Sequence, residues 1–248
     1  MFTPETRYTR EYTINSYDVD AKGQASLQSL CRYMQEMAVL HAEKLKLGFH
    51  DMMKENRGWV LAQMLVEVSC FPGLHEQVSI TTWSNGPDGR FALRDFRISD
   101  AEGNVIGAAS STWLVVDVRE KTICRLDNYF RDYNYNNIEF AIGRKPQRVK
   151  PVTDGGDQFT SQVRFSDLDI NGHMTNVRYI DLALDMVPPA YRMEHDITEL
   201  EMNFLKESKL GNKLTGLLNN AEKDNEFYHC LLNDDLGKPS FTACSRWR

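Results

Sequence analysis

The sequence of 248 residues lacks the features that mark several classes of protein. No apolar run approaches the roughly 20 residues that cross a bilayer. The first residues, Met1–Arg7, contain neither the apolar core of a secretory signal nor an Arg/Ser-rich transit segment. A formal net charge of −6 argues against broad nucleic-acid binding, which needs a basic surface. These absences predict a cytoplasmic protein with no membrane span and no nucleic-acid partner.

Cysteine and histidine are few and scattered. The five cysteines are odd in number and form no C-x-x-C, so neither a disulfide framework nor a cysteine-based zinc site is expected. Free thiols of this kind are usually buried. The six histidines show no H-x-x-x-H spacing, and there is no G-x-S-x-G or P-loop. The sequence therefore predicts no metal, no cofactor and no serine-esterase site.

Two pairs of similar segments follow each other in the same order along the chain. Asp18-Val19-Asp20-Ala21-Lys22-Gly23 matches Asp167-Leu168-Asp169-Ile170-Asn171-Gly172, at an offset of 149 (167 − 18). Ala109–Trp113 matches Ala243–Trp247, at an offset of 134 (247 − 113). Self-similarity in a consistent order is a fold-level signal. We interpret it as an internal duplication, in which the first copy has extra residues around 46–57.

Each copy has the same predicted order of elements. After the first segment, apolar residues recur at helical spacing: Leu27, Leu30, Cys31, Met34, Met37 and Ala38 in one copy and Val177, Ile180, Leu184 and Val187 in the other. Ser26 is a candidate N-cap, and Pro188-Pro189 is expected to end the second helix. Strand-like stretches follow, at 59–70, 77–83, 90–98 and 105–116, and at 196–206, 213–219, 226–232 and 239–247. One helix against an antiparallel sheet in each copy predicts an α+β fold.

The segment that carries Asp169, Asn171 and His173 is the strongest candidate for chemistry. It forms a turn at Gly172 just before a helix, where unpaired N–H groups and partial positive charge could hold an oxyanion. A carboxylate, an amide and an imidazole supply a base or nucleophile, a polarising group and a proton carrier. Asp and Asn before a helix are also ordinary caps and turn formers, so this spacing alone leaves both interpretations open.

The first copy helps to separate these interpretations. It retains Asp20 and Gly23, which suit the turn, but it has Lys22 and Gln24 where the second copy has Asn171 and His173. The shared residues are therefore expected to be structural, and the residues that differ are expected to act in the second copy only.

The run Ser166–Ile180, together with Ala25–Ala38, Arg57–Met64 and Ser110–Trp113, resembles acyl-acyl-carrier-protein (acyl-ACP) thioesterases of the plant and bacterial type over nearly the whole chain. The resemblance implies two tandem hotdog domains, each a helix wrapped by a curved antiparallel sheet. It implies boundaries of 1–120 for a catalytically silent domain on the acyl-pocket side, 121–160 for a connector, and 161–248 for the catalytic domain.

The same resemblance implies a catalytic set. Asp169, Asn171 and His173 match the family's aspartate, asparagine and histidine, and Glu207 matches its glutamate. Taken alone, Glu207 would be interpreted as a solvated charge at a strand end. The family often has a cysteine next, where this chain has Ser208, which argues against a Cys–His mechanism. Direct attack by Asp169 and attack by an activated water both remain open.

The implied reaction is hydrolysis of fatty acyl-ACP to free fatty acid and holo-ACP, which terminates fatty acid synthesis. Because ACP is acidic, the basic run Arg144–Lys150 is a candidate docking segment, although a solvated linker explains it equally well. Alternatives are an acyl-CoA thioesterase of the hotdog class, a non-catalytic acyl-binding protein and, less favoured, a hotdog dehydratase. A monomer and a homodimer are both compatible with two hotdogs in one chain.

Overall fold

A computed structural model describes residues 7–130, 139–153, 157–220 and 225–248. The chain divides into two compact units, Met1–Pro146 and Gln147–Arg248. The division falls inside the stretch 121–160 that the sequence predicts as a connector, and the three-part division with these boundaries stays a prediction. Within the described ranges, no helix is long and apolar enough to cross a membrane.

The first unit is a five-stranded antiparallel sheet with its main helix in the connection between the first two strands. The strands pair in the order β1-β3-β4-β5-β2. Its elements are β1 (Arg7–Thr13), α1 (Leu27–Lys44), α2 (Phe49–Lys54), β2 (Arg57–Val68), β3 (Gln77–Asp88), β4 (Phe91–Ser99), β5 (Val105–Asp117) and α3 (Asp127–Phe130). Helix α3 lies at the start of the predicted connector, and residues 131–138 of that connector lie outside the described residues.

The second unit repeats this topology strand for strand. Its order is β6-β8-β9-β10-β7, all antiparallel. Its elements are β6 (Asp157–Gln162), α4 (Asn176–Asp185), α5 (Pro189–Glu194), β7 (Ile197–Phe204), β8 (Lys213–Asn220), β9 (Glu226–Asn233) and β10 (Lys238–Trp247). The duplication and the α+β class are therefore confirmed. The leading strands β1 and β6 and the short helices α2 and α5 are elements that the sequence pattern did not predict.

The two main helices begin in the same way. The side chain of Ser26 accepts a hydrogen bond from the Ser29 N–H at 3.1 Å, and Thr175 accepts one from the Arg178 N–H at 3.3 Å. Caps of this kind contribute about 1 kcal/mol each. The apolar stripes predicted for both helices are buried, with Leu30, Cys31, Met34, Met37 and Ile180 fully so. Helix α4 ends at Asp185, and Pro189 occupies the first turn of α5, where its missing N–H costs nothing.

In the first unit, part of the predicted connector 121–160 is hydrogen-bonded to the sheet. The buried Asp95 accepts the Ala141 N–H at 3.2 Å, and the Asn85 side chain donates to the Glu139 carbonyl at 2.9 Å. Burial raises the pKa of Asp95, against the opposing effect of its hydrogen bonds. An acid at this depth is tolerable because its oxygens are all engaged by donors.

The second unit holds the neighbouring stretch by the same kind of contact. Glu201 accepts the Gln147 N–H at 2.6 Å, and Asn203 accepts the Val149 N–H at 2.6 Å. The amide of Asn203 also donates to the Gln147 carbonyl at 2.9 Å. These polar side chains of β7 are buried and satisfied by backbone groups, so this segment is part of the folded unit.

One buried histidine lies between α4 and its sheet. His229 on β9 is fully buried, and its Nε2 is 2.8 Å from the Ser245 hydroxyl, which also accepts the Trp247 indole N–H at 2.9 Å. Burial lowers the pKa of His229 from 6.5 to about 4. The folded state therefore favours the neutral ring, and protonation favours the unfolded chain.

This histidine predicts a specific acid sensitivity. Its contribution to stability is complete above pH 6.5 and is lost as the pH falls from 6.5 towards 4, by about 3 kcal/mol in total. We expect His229→Gln, which can still bond Ser245 but does not titrate, to lower the free energy of unfolding at pH 7 and to flatten its decline below pH 6.5. Urea unfolding at half-unit pH steps measures both. The control is His50→Gln, at an exposed histidine. If the free energy of unfolding declined equally with pH in wild type and both variants, the acid sensitivity would not come from His229.

Candidate functional site

The turn that carries the candidate residues is organised by one carboxylate. Asp169 Oδ1 accepts the backbone N–H of Asn171 at 2.8 Å and that of His173 at 3.2 Å. Its Oδ2 accepts the Asn171 side-chain amide at 3.3 Å. The backbone closes the turn with bonds from Asp169 N–H to the His173 carbonyl and from Gly172 N–H to the Asp169 carbonyl. Gly172 has φ +75°, a conformation that residues with a Cβ rarely adopt.

The first unit contains the same turn with different side chains. Asp20 Oδ1 accepts the N–H of Lys22 at 2.8 Å and that of Gln24 at 3.4 Å, and Gly23 has φ +77°. The bond from Asp20 N–H to the Gln24 carbonyl is also repeated, at 2.8 Å. The aspartate and the glycine are thus scaffold in both copies, as the comparison of the two segments predicted.

An ion pair joins this turn to the helix that follows it. Asp167 Oδ1 lies 3.2 Å from the guanidinium Nε of Arg178, which is on the first turn of α4. The Thr175 N–H also donates to the Asp167 carbonyl at 2.8 Å. In the first unit the matching Asp18 instead accepts the Tyr33 hydroxyl at 2.6 Å. Both arrangements hold the turn against its helix. The backbone from which the side chains of the turn project is therefore fixed in position.

The structure brings Glu207 to the same place. It follows β7, and its Oε2 lies 3.1 Å from His173 Nε2. The side chain of His173 is 26% exposed and that of Glu207 is 52% exposed, so the pair is reachable from solvent. A backbone bond from Met174 N–H to the Ser208 carbonyl, at 2.8 Å, fixes the two segments side by side. All four residues named from the sequence therefore lie on one turn and the strand end beside it.

The residue pattern of the sequence does not show that Glu207 lies beside His173. Its local sequence is that of an exposed charge, and only the pairing between the turn and the chain after β7 makes it a neighbour of His173. The bridge that pairs His173 with Lys209 has its counterpart between Gln24 and Gly73 in the first unit. By that register, the position matching Glu207 is Phe71, so the first unit has neither the imidazole nor the carboxylate.

Burial disfavours the thiolate form of two cysteines in the second unit. Burial raises the pKa of Cys230 to about 11 and, with Glu226 beside it, that of Cys244 to about 12. The expectation that the free thiols are buried holds for Cys31, Cys230 and Cys244, but it is wrong for Cys70, which is exposed, and for the half-buried Cys124. Among the described residues, no three His, Cys, Asp or Glu side chains are grouped so as to hold a metal ion.

Comparison with protein families matches the two halves of the chain separately. Residues 5–133 match the acyl-ACP thioesterase N-terminal domain, and residues 153–248 match the acyl-ACP thioesterase C-terminal domain. The chain belongs to the acyl-ACP thioesterase family. The C-terminal match contains the turn with His173 and the segment with Glu207.

Curated relatives that the chain matches share about a quarter of its residues. A chloroplastic palmitoyl-acyl carrier protein thioesterase of Gossypium hirsutum is 24% identical over 97% of this chain and 63% of its own length. A chloroplastic dodecanoyl-[acyl-carrier-protein] hydrolase of Cinnamomum camphora is 24% identical over 97% of this chain and 67% of its own. The chain spans about three fifths of the length of the first curated relatives that it matches.

Solved structures share the fold. An acyl-ACP thioesterase of Bacteroides thetaiotaomicron matches with a TM-score of 0.89 at 24% identity, with all of both chains covered. The 12:0-ACP thioesterase of Umbellularia californica matches with a TM-score of 0.85 at 19% identity, covering 100% of this chain and 99% of that one. The expected architecture of two tandem hotdog domains is therefore confirmed.

The paired glycines give a test of the turn that separates strain from chemistry. An added Cβ at Gly172 or Gly23 would meet nothing within 4 Å, so alanine at either position is strained by its positive φ and not by a clash. We expect Gly172→Ala and Gly23→Ala to lower the free energy of unfolding by a similar amount, about 1–2 kcal/mol. Only Gly172→Ala should also slow thioester hydrolysis, because it displaces Asn171 and His173.

Urea unfolding and steady-state hydrolysis of an acyl thioester, measured on both variants, check this expectation. Gly23→Ala is the matched control, since its turn has the same hydrogen bonds. Equal loss of activity in the two variants would show that the turn acts only through general stability.

Proposed function

We propose that the protein hydrolyses fatty acyl-ACP thioesters to free fatty acid and holo-ACP. The observation that carries this proposal is the His173–Glu207 pair at 3.1 Å beside Asn171, present in one of two otherwise matching units. The family and the names of its curated relatives supply the substrate class. These names include dodecanoyl, palmitoyl and oleoyl, so we assign no chain length. The cytoplasmic location and the monomer or homodimer stay predictions.

The geometry supports distinct roles for the amide and the acid-base pair. The Asn171 amide donates one N–H to Asp169 and has a second N–H with which to polarise the thioester carbonyl. Glu207 is the base that takes a proton from the attacking water, and His173 Nε2 donates to its carboxylate and holds it in place. The exposed side of the pair gives water access. The tetrahedral intermediate then collapses with cleavage of the C–S bond, and the leaving sulfur takes the proton that Glu207 removed from water, which yields the free acid and the thiol and restores the carboxylate.

Of the two mechanisms left open by the sequence, we favour the one in which water attacks. Both carboxylate oxygens of Asp169 already accept hydrogen bonds from the turn, three in all. Hydrogen bonds to a carboxylate stabilise its charge and so make it a poorer nucleophile. Asp20 makes the two backbone bonds in a turn that has no chemistry to perform. Asp169 is therefore proposed as the residue that orients Asn171 and His173.

Substitutions in the site should follow these roles. We expect Asn171→Ala, His173→Ala and Glu207→Ala each to reduce kcat by about 10²–10⁴-fold, because each removes a group that acts on the reacting atoms or, for His173, the group that holds the base in place. Asp169→Ala should be similarly impaired, whereas Asp169→Asn, whose carbonyl can still accept the turn's N–H groups, should retain much more activity. Release of free thiol from a panel of acyl-ACPs, run beside the matching acyl-CoAs, measures the effects and the carrier preference.

The first unit provides the controls for this series. Lys22→Ala, Gln24→Ala and Phe71→Ala alter the matching positions and should leave kcat within about twofold of wild type. Activity that survives His173→Ala and Asn171→Ala would favour the acyl-binding alternative. Asp169→Asn as inactive as Asp169→Ala would favour direct attack. A faster reaction on acyl-CoA would favour the acyl-CoA thioesterase.

The basic run proposed for docking the acidic carrier protein is narrowed by its contacts. Lys145, Arg148 and Lys150 are all exposed, but Lys145 is paired with Asp88 at 2.7 Å. The test therefore uses Arg148 and Lys150. We expect the double reversal Arg148→Glu/Lys150→Glu to lower kcat/KM on acyl-ACP roughly tenfold at low salt and to leave acyl-CoA turnover unchanged, because steering acts on the charged carrier. The exposed Arg119 and Lys121, reversed together, are the control. Unchanged kcat/KM on acyl-ACP would remove the docking role.

A further inference from the structure

A buried tyrosine lies beneath the segment that carries Glu207. Tyr179 is in the first turns of α4 and is only 3% exposed. Its ring stacks on Phe241, with centroids 5.8 Å apart, and meets Phe204 edge-on at 6.2 Å. This packing fixes the position of its hydroxyl, since the two χ angles of a buried tyrosine leave the ring little freedom.

The hydroxyl of Tyr179 bonds to the backbone on both sides of Glu207. It accepts the Ser208 N–H at 2.9 Å and donates to the Lys206 carbonyl at 3.4 Å. These two groups belong to the two peptide bonds that flank Glu207. Burial raises the pKa of Tyr179, so the phenol keeps the proton that it donates. One side chain of the helix therefore restrains both peptide planes from which the Glu207 side chain projects.

The rest of the segment is held from other directions. The Ser208 hydroxyl is 3.0 Å from that of Ser240 and accepts the Asn233 amide at 3.2 Å. The Ser208 carbonyl accepts the Met174 N–H at 2.8 Å. These contacts fix Ser208, whereas the Tyr179 hydroxyl also reaches across Glu207 to the peptide bond before it.

The first unit has the same backbone arrangement without this contact. Ala25 N–H donates to the Pro72 carbonyl at 2.8 Å, which matches the bond from Met174 to Ser208. Pro72 has no N–H to donate, and the position matching Tyr179, four residues after the helix cap, is the buried Leu30. Donor and acceptor are thus both absent from the unit that also lacks the carboxylate.

We propose that Tyr179 is a positioning residue for Glu207: its hydroxyl fixes the two peptide groups around Glu207 so that the carboxylate stays within reach of His173. The inference rests on the proposed function, in which Glu207 acts as the base. It does not make Tyr179 a participant in proton transfer, because the hydroxyl is engaged by backbone groups and buried under the segment. Small displacements of a reacting group can cost about a hundredfold in rate.

The test is Tyr179→Phe, which removes the hydroxyl and keeps the ring. We expect kcat on acyl-ACP to fall by about ten- to a hundredfold with KM changed less than about twofold, because substrate binding does not involve the hydroxyl. The pH profile of kcat should also change, since it reports the Glu207–His173 pair. Tyr12→Phe is the matched control: within the described part of the chain the Tyr12 hydroxyl is buried without a hydrogen-bond partner. Its kinetics should equal those of wild type.

A double-mutant cycle with Glu207→Gln separates positioning from a general loss of packing. If Tyr179 acts through Glu207, adding Tyr179→Phe to Glu207→Gln should change kcat little further. Multiplicative losses, or full activity of Tyr179→Phe while Glu207→Gln is inactive, would overturn the positioning role and leave the proposed function standing. Full activity of Glu207→Gln would instead overturn the role of Glu207 and, with it, that of Tyr179. Should Tyr179→Phe fail to fold, Tyr179→Leu, which copies Leu30, supports the same cycle.

Discussion

The backbone hydrogen bond from Met174 to Ser208 is the contact on which the site depends. It joins the turn before α4 to the chain that leaves β7, two segments more than thirty residues apart in sequence. Without it, His173 and Glu207 would each be an ordinary polar residue at the end of an element. The bond belongs to the fold itself, because Ala25 and Pro72 make the same bond in the first unit, which lacks the histidine and the glutamate at the matching positions. The junction beside which His173 and Glu207 lie is therefore a feature of the fold that both units share.

The duplication separates framework from function at the level of single atoms. Asp20 and Asp169 receive the same two backbone N–H groups, and Gly23 and Gly172 have nearly the same positive φ. Residues that keep these contacts in both units are explained by folding alone. The residues that differ at the same positions need another explanation. Asn171 and His173 were recognised in this way from the sequence, and Tyr179 and Ser208 are recognised in the same way from the structure.

Much of the fold could be predicted because its signals are local. The apolar residues from Leu30 to Met37 follow helical spacing. In most strands apolar and polar residues alternate, and turn residues mark where the strand begins and ends. Strand β1 escaped prediction because it is a largely exposed edge strand in which charged and polar side chains outnumber apolar ones. The hydrogen bonds that hold residues 141–149 could not be predicted for a related reason: their partners are the buried Asp95, Glu201 and Asn203, which belong to strands distant in sequence.

The candidate site was predictable only in part, because the sequence pattern shows local contacts but not contacts between distant segments. Asp169, Asn171 and His173 share one turn, so their spacing is visible in the sequence. Glu207 reaches His173 only through strand pairing, and the resemblance to a family, not the residue pattern, pointed to it. The hydroxyl of Tyr179 is a still less visible case, because at its position in α4 a tyrosine fits the apolar stripe as well as Leu30 does in α1.

Ser208 shows why the residue after the glutamate need not be a nucleophile. Its side chain is fully buried, and its hydroxyl is engaged by Ser240 and Asn233. Its backbone N–H and carbonyl bind Tyr179 and Met174, so the residue serves to fix the segment from three sides. A thiolate mechanism would need a partly exposed cysteine in an electropositive setting. Burial raises the pKa of Cys230 and Cys244, which lie within strands, so neither offers such a thiolate, in agreement with the proposal that water attacks.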